Sequence, residues 1–148
     1  MLRSAESTKL TGATFVIGGS FLCSLIAMGG KVPAASAFLG LSLFILGDAA
    51  AALVGKAIGR SRIGEKTLEG AFGCFALCLL LALGVFPYLP EFTLVWGNIH
   101  LLQAVFLSAL VAVLELFPFR VGKIVLNDNL YVPVIVTFVC ILIHGKFI

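Results

Sequence analysis

The run from Gly47 to Gly70 is the one place where this apolar chain gathers charge and glycine together: Asp48, Gly55, Lys56, Gly59, Arg60, Arg62, Gly64, Glu65, Lys66, Thr67, Glu69 and Gly70. Asp48 directly follows Leu-Phe-Ile-Leu-Gly. A carboxylate in such surroundings costs roughly 2.5–3.5 kcal/mol on membrane-insertion scales, so it needs a partner, a water-filled cavity or a metal. Glycines let backbone N–H groups approach a ligand closely, and Arg60, Arg62 and Lys66 offset negative charge, which together suit a polyphosphate. The run is neither a Walker A sequence nor a dinucleotide fingerprint. A purely structural reading stands beside this one: Gly55-Lys-Ala-Ile-Gly59 is also a helix-packing pattern, and basic loop residues follow from membrane topology alone.

A second polar group lies near the C-terminus: Glu115 between Leu114 and Leu116, then Asn127-Asp128-Asn129 with Pro133 a turn further on. Asn127 or Asp128 would serve equally as a helix cap. Glu115 is harder to explain structurally, because its leucine neighbours impose a desolvation cost.

Composition identifies what must position these residues. Of 148 residues, 61% are hydrophobic and 11% charged, against about 45–50% and about 25% in soluble domains. The expectation is an all-α integral membrane bundle, a single domain over residues 1–148, with about five transmembrane helices. They are placed near 11–30, 34–58, 69–89, 99–117 and 130–147, between polar or Pro/Gly breaks. The first apolar run is read as a true helix rather than a cleaved signal peptide, because it is long and follows a polar stretch containing Glu6. The formal charge of +3 speaks to topology, not to a nucleic-acid partner. An inside N-terminus places Arg3, Lys9, Lys56, Arg60, Arg62, Lys66, Arg120 and Lys123 on the cytoplasmic side and leaves Lys31 and Lys146 outside.

That topology brings Asp48, Glu69, Glu115 and Asp128 to one cytoplasmic boundary from four helices or helix ends. Converging carboxylates there are natural Mg²⁺ ligands, since Mg²⁺ combines one or two carboxylates with substrate phosphates and water. Phosphoryl transfer needs mainly positioning and charge neutralisation, and carboxylates, a metal and a basic glycine loop supply both. His100 and His144 fall at the opposite boundary, where Trp96 and Tyr88 are expected as interfacial anchors. Cys23, Cys74, Cys78 and Cys140 lie in apolar segments and are expected to pack as small hydrophobes.

Gly47-Asp48 with the alanine-rich helix, Gly55, Gly59 and Lys66-Thr67-Leu68-Glu69-Gly70 resembles the CTP-binding region of the dolichol kinase family, shared with phytol kinases and CTP-dependent diacylglycerol kinase. Lys9-Leu-Thr11-Gly12-Ala13-Thr14-Phe15 resembles the family's segment ahead of a transmembrane helix, and Glu115 with Asp128-Asn129-Leu130 and Pro133 its C-terminal signature. The resemblance implies an integral membrane enzyme that uses a divalent cation to transfer the terminal phosphoryl group of CTP to a lipid alcohol. It implies a CTP and metal site from Asp48, Gly55, Gly59, Lys66, Thr67, Glu69 and Gly70, completed by Asp128 and Asn129. Asp48 and Asp128 then serve as metal ligands or base, and Lys66 with Arg60 or Arg62 neutralises phosphate. Many relatives carry further upstream helices, so the expectation extends to a minimal member that is inactive alone, or that assembles as a homo-oligomer or with a partner supplying helices. Two alternatives stand: a phosphatidate cytidylyltransferase-like enzyme making a CDP-lipid, and a non-enzymatic helical bundle.

Overall fold

The computed structural model describes residues 12–117 and 127–144, together with the backbone of two short strands between them. Its elements are α1 (Gly12–Ala27), α2 (Lys31–Ile58), β1 (Arg62–Ile63), β2 (Lys66–Thr67), α3 (Leu68–Gly84), a 3-10 turn (Phe86–Tyr88), α4 (Pro90–Trp96), α5 (Leu101–Leu116), β3 (Arg120–Val121), β4 (Ile124–Val125) and α6 (Asp128–Ile143). The described residues are all-α apart from two antiparallel two-residue ladders, which pair Arg62 with Thr67 and Arg120 with Val125 at their outer ends. The expectations resting on Arg3, Lys9, Lys123 and Lys146, and on the stretch ahead of Gly12, lie outside the described residues.

Local chemistry sets the helix ends. Gly30 adopts φ 137° just before α2, a conformation that side chains oppose. Gly59 ends α2, with its N–H bonded to the Gly55 carbonyl at 3.1 Å. Thr67 caps α3 by accepting from the Gly70 N–H at 3.1 Å, and Asn127 caps α6 by accepting from the Asn129 N–H at 3.0 Å.

The stretch between Pro87 and Asn98, expected as a break, is largely helical. Pro90 opens α4 at a position where its missing N–H costs nothing, and Gly97 at φ 84° turns the chain so that α4 and α5 meet at 99°. Among the described residues there are six α-helices, one more than the five segments read from hydropathy. Lys31–Ile58 and Leu68–Tyr88 are long and apolar enough to cross a membrane, and the bent α4–α5 pair makes a third if counted as one span. The described parts of α1 and α6 are 16 residues each, about 24 Å at 1.5 Å per residue against a hydrocarbon core of about 30 Å.

Helix α2 is central, packed against α1, α3 and α6, while α3 lies against α5. Its Leu39, Leu43 and Phe44 meet Cys74, Cys78, Val111 and Val136 in the core. Close approach depends on glycine: a Cβ at Gly40 would lie 2.7 Å from Thr137 Oγ1 and 3.0 Å from the Thr137 nitrogen. At Gly19 it would lie 2.6 Å from the Asn129 carbonyl, the group that Pro133 deprives of its helical donor. All four cysteines are free and buried, as expected of small packing residues.

Gly40→Val is expected to destabilise the chain by about 1–3 kcal/mol through overpacking of α2 against α6. Gly84→Ala, with nothing within 4 Å of the added carbon, should leave the melting temperature unchanged or slightly raised. Thermal unfolding of the two variants in detergent checks this.

Candidate functional site

One end of the bundle carries the β1–β2 hairpin, the C-terminus of α5 and the N-terminus of α6, and these converge on Lys66. Its Nζ donates to Asp128 Oδ2 at 2.8 Å and to Glu115 Oε1, and stands 4.0 Å from Asp48 Oδ1. Four segments far apart in sequence thus contribute one ammonium and three carboxylates. Burial disfavours the charge on Lys66, but the bonds to Asp128 and Glu115 outweigh it and hold the lysine above its ordinary pKa. The stability linked to this ammonium is fully present below lysine's ordinary value and fades only as pH rises through the higher one, so Lys66 remains charged throughout the neutral range.

The carboxylates differ sharply in exposure: the Asp48 side chain is 41% exposed, Asp128 20% and Glu115 4%. Asp48 lies ten residues before the end of α2, about 15 Å along the axis. It nevertheless reaches solvent, because a pocket of about 420 Å³ opens beside it. The polar lining of that pocket is Asp48, Lys56, Arg62, Glu65, Lys66, Thr67 and Glu115. Asp48 therefore has both the partner and the cavity that its sequence position requires.

Gly55, Gly59 and Gly70 line the same pocket and also accommodate Thr67. A Cβ at Gly55 would lie 2.8 Å from Thr67 Oγ1, one at Gly59 2.8 Å from Thr67 Cγ2, and one at Gly70 2.9 Å from Thr67 Oγ1. The glycines thus let β2 lie against the end of α2, which is what carries Lys66 to the carboxylates.

Other residues of the expected site stand elsewhere. Glu69 accepts from the Ser61 N–H with both oxygens, at 3.1 and 3.2 Å, and ties the base of the hairpin rather than lining the pocket. Arg60 and Asn129 are likewise absent from the lining. The Asn129 N–H is bonded to Asn127 Oδ1 and Asp128 Oδ1, both at 3.0 Å. Ala51, Ala52, Ala71 and Leu116 line the pocket without having been assigned to the site from the sequence, and Lys56 and Glu65 line it although they were given no role within the charged run. Helical periodicity carried the signal for Ala52 and Lys56, since each lies four residues from another along one face of α2, Asp48 to Ala52 to Lys56, beside Gly55 and Gly59.

Among the described residues, no three His, Cys, Asp or Glu side chains are grouped to hold a metal ion by themselves. The carboxylates nonetheless fit a hard cation that keeps water or phosphate ligands. Glu115 Oε2 is buried without any hydrogen-bond partner, so the site contains a carboxylate oxygen with unused capacity.

The opposite end holds different chemistry. Trp96 donates to Ser36 Oγ at 3.0 Å and is only 4% exposed, so it is a core residue and not an interfacial anchor. Tyr88, by contrast, is exposed. Gln103 accepts from the His100 N–H at 2.9 Å and donates to the Ile143 carbonyl at 3.3 Å. His144 lies 3.3 Å from the Val95 carbonyl and edge-on to Trp96. Neither histidine joins the Lys66 cluster.

No family model matches the chain, and comparisons with curated proteins and with solved structures return no match.

Lys66→Met is expected to lower stability by about 1–3 kcal/mol, because Glu115 loses its cation while buried; the partial exposure of Lys66 keeps the cost below that of a fully buried pair. Adding Glu115→Gln to that variant should recover most of the loss. A double-mutant cycle of thermal melts gives the coupling, and additive effects would contradict the pairing.

Proposed function

We propose that the chain is an integral membrane phosphotransferase that moves the terminal phosphoryl group of CTP to the hydroxyl of a lipid alcohol of the polyprenol, phytol or diacylglycerol type. The observation that carries this reading is the pocket in which Lys56, Arg62 and Lys66 face Asp48 and Glu115 at the end of an apolar bundle. Its volume of about 420 Å³ falls within the roughly 300–1,000 Å³ of small-molecule clefts. Large apolar side chains cover the outside, with Ile17, Leu53, Phe72 and Leu102 each at least 70% exposed, a surface suited to lipid rather than water. The choice of CTP as donor rests on the sequence resemblance, and the cytoplasmic placement of the site on the distribution of basic residues.

Lys56, Arg62 and Lys66 neutralise the phosphate chain and hold it in place. The lipid hydroxyl oxygen attacks the terminal phosphorus, the bond from that phosphorus to the bridging oxygen breaks, and CDP leaves with the bond's electron pair. The hydroxyl proton passes to a carboxylate of the cluster, with Asp48 and Asp128 the more accessible. Mg²⁺ held by Asp48 with Glu115 or Asp128 would supply further charge neutralisation at the transferring group. The apolar helices give the lipid tail a path to the pocket without leaving the bilayer.

Purified chain, lipid alcohol, Mg²⁺ and CTP should yield CDP and a lipid phosphate, with ATP and GTP poorer donors. Asp48→Asn should reduce kcat by at least about a hundredfold, the scale of losing one electrostatic contact to a transition state. Pyrophosphate and a CDP-lipid among the products would indicate cytidylyl transfer instead. No nucleotide turnover and no CTP-dependent rise in melting temperature would favour a non-enzymatic bundle.

A further inference from the structure

The lining and partners of the pocket do not suit a bare anion. Three cations, Lys56, Arg62 and Lys66, line the pocket with three carboxylates, Asp48, Glu65 and Glu115, and Asp128 outside the lining adds a fourth carboxylate against Lys66. A polyphosphate entering alone would find the positive charge of the lining already matched by carboxylates. A polyphosphate arriving with a divalent cation would bring its own positive charge, provided that cation finds carboxylates free to take it.

Those carboxylates are now engaged by Lys66, though incompletely. Asp128 uses one oxygen to hold the ammonium and the other to accept its own helix's Asn129 N–H. Asp48 stands at the edge of ion-pair distance, and Glu115 uses Oε1 alone while Oε2 is buried and unpartnered. A buried carboxylate oxygen without a donor is costly, and one ammonium cannot serve every oxygen at this site. A divalent cation carries twice the charge and takes several oxygen ligands at once. Lys66 also has somewhere to go: its side chain is 35% exposed to the pocket it shares with Lys56 and Arg62.

We infer that Lys66 is a built-in counter-ion that holds the place of a divalent cation, which two of the carboxylates Asp48, Glu115 and Asp128 would take together with water or phosphate, and that it yields that place when a phosphate group draws its ammonium into the pocket. The inference rests on reading the pocket as a phosphate site. Cation and phosphate then assist one another: each is bound more tightly when the other is present, because either alone leaves the ammonium competing with the metal or the carboxylates uncompensated. Before substrate arrives, the lysine keeps the buried Glu115 carboxylate paired and the hairpin closed on α5 and α6.

The test uses the full chain in detergent and Mn²⁺ alone, with bound ion measured by electron paramagnetic resonance. Wild-type protein should bind Mn²⁺ weakly, and Lys66→Met should bind it at least about tenfold more tightly, within the usual range of site coupling. Lys66→Gln, whose amide still donates to the carboxylates without carrying charge, should show the same gain and guards against misfolding of the methionine variant. Lys66→Arg should behave as wild type. Adding Glu115→Gln to Lys66→Met should abolish the gain. Equal Mn²⁺ affinity in wild type and in whichever neutral variant retains wild-type helicity by circular dichroism would overturn the inference, as would a gain that survives Glu115→Gln. No nucleotide or lipid enters this assay, so its failure and failure of the proposed reaction are separate results.

Discussion

The Lys66 ammonium is the constraint on which this end of the molecule depends. Asp48 lies deep in α2, Glu115 at the end of α5 and Asp128 at the start of α6, and their carboxylates repel one another unless a cation stands between them. Glu115 feels this most, since it is nearly inaccessible to water. A short hairpin supplies the cation from outside the helices. The hairpin is placed in turn by the glycines that let Thr67 nest against α2 and α3. Packing of small residues and pairing of charges are therefore one arrangement: loss of the glycine contacts would move Lys66, and loss of Lys66 would strand the carboxylates.

The two ends of the bundle illustrate different uses of polar residues in an apolar setting. At the far end, Ser36, Trp96, Gln103 and His144 close a set of hydrogen bonds joining α2, α4, α5 and α6. Such a satisfied network fixes geometry and leaves little capacity for a ligand. At the hairpin end the network is incomplete, with an unpartnered Glu115 oxygen, a partly exposed lysine and an open pocket. That incompleteness is what makes it the candidate site, because a ligand can satisfy groups that the protein itself leaves unfulfilled. Helix α6 adds to this end: Asp128 lies in its first turn, where the helix dipole favours negative charge.

The pocket also resolves how an apolar helix tolerates Asp48. Alanine and glycine along one face of α2 keep its surface low beside α3 and β2, so solvent reaches well along the helix. Small residues thereby serve twice, as packing surface at Gly40 and Gly47 and as pocket wall at Ala52 and Gly55.

Much of this was legible in the chain itself. Hydropathy and proline and glycine breaks marked the helices, since apolar runs bounded by such residues have few other solutions, and Asp48 and Glu115 within apolar runs signalled a polar site because isolated carboxylates are costly in such surroundings. Periodicity alone did not reveal α4, a short apolar helix whose register is decided by packing of Phe92 and Trp96 into the core. Nor did it separate Glu69, which braces the hairpin through Ser61, from Glu115 and Asp128, which hold Lys66. The sequence by itself determined which residues could not lie in apolar surroundings unaided. The tertiary structure alone decided which of them meet, because ion pairs and pockets depend on distances between segments about 50 to 60 residues apart, and those distances follow from close packing at particular glycines.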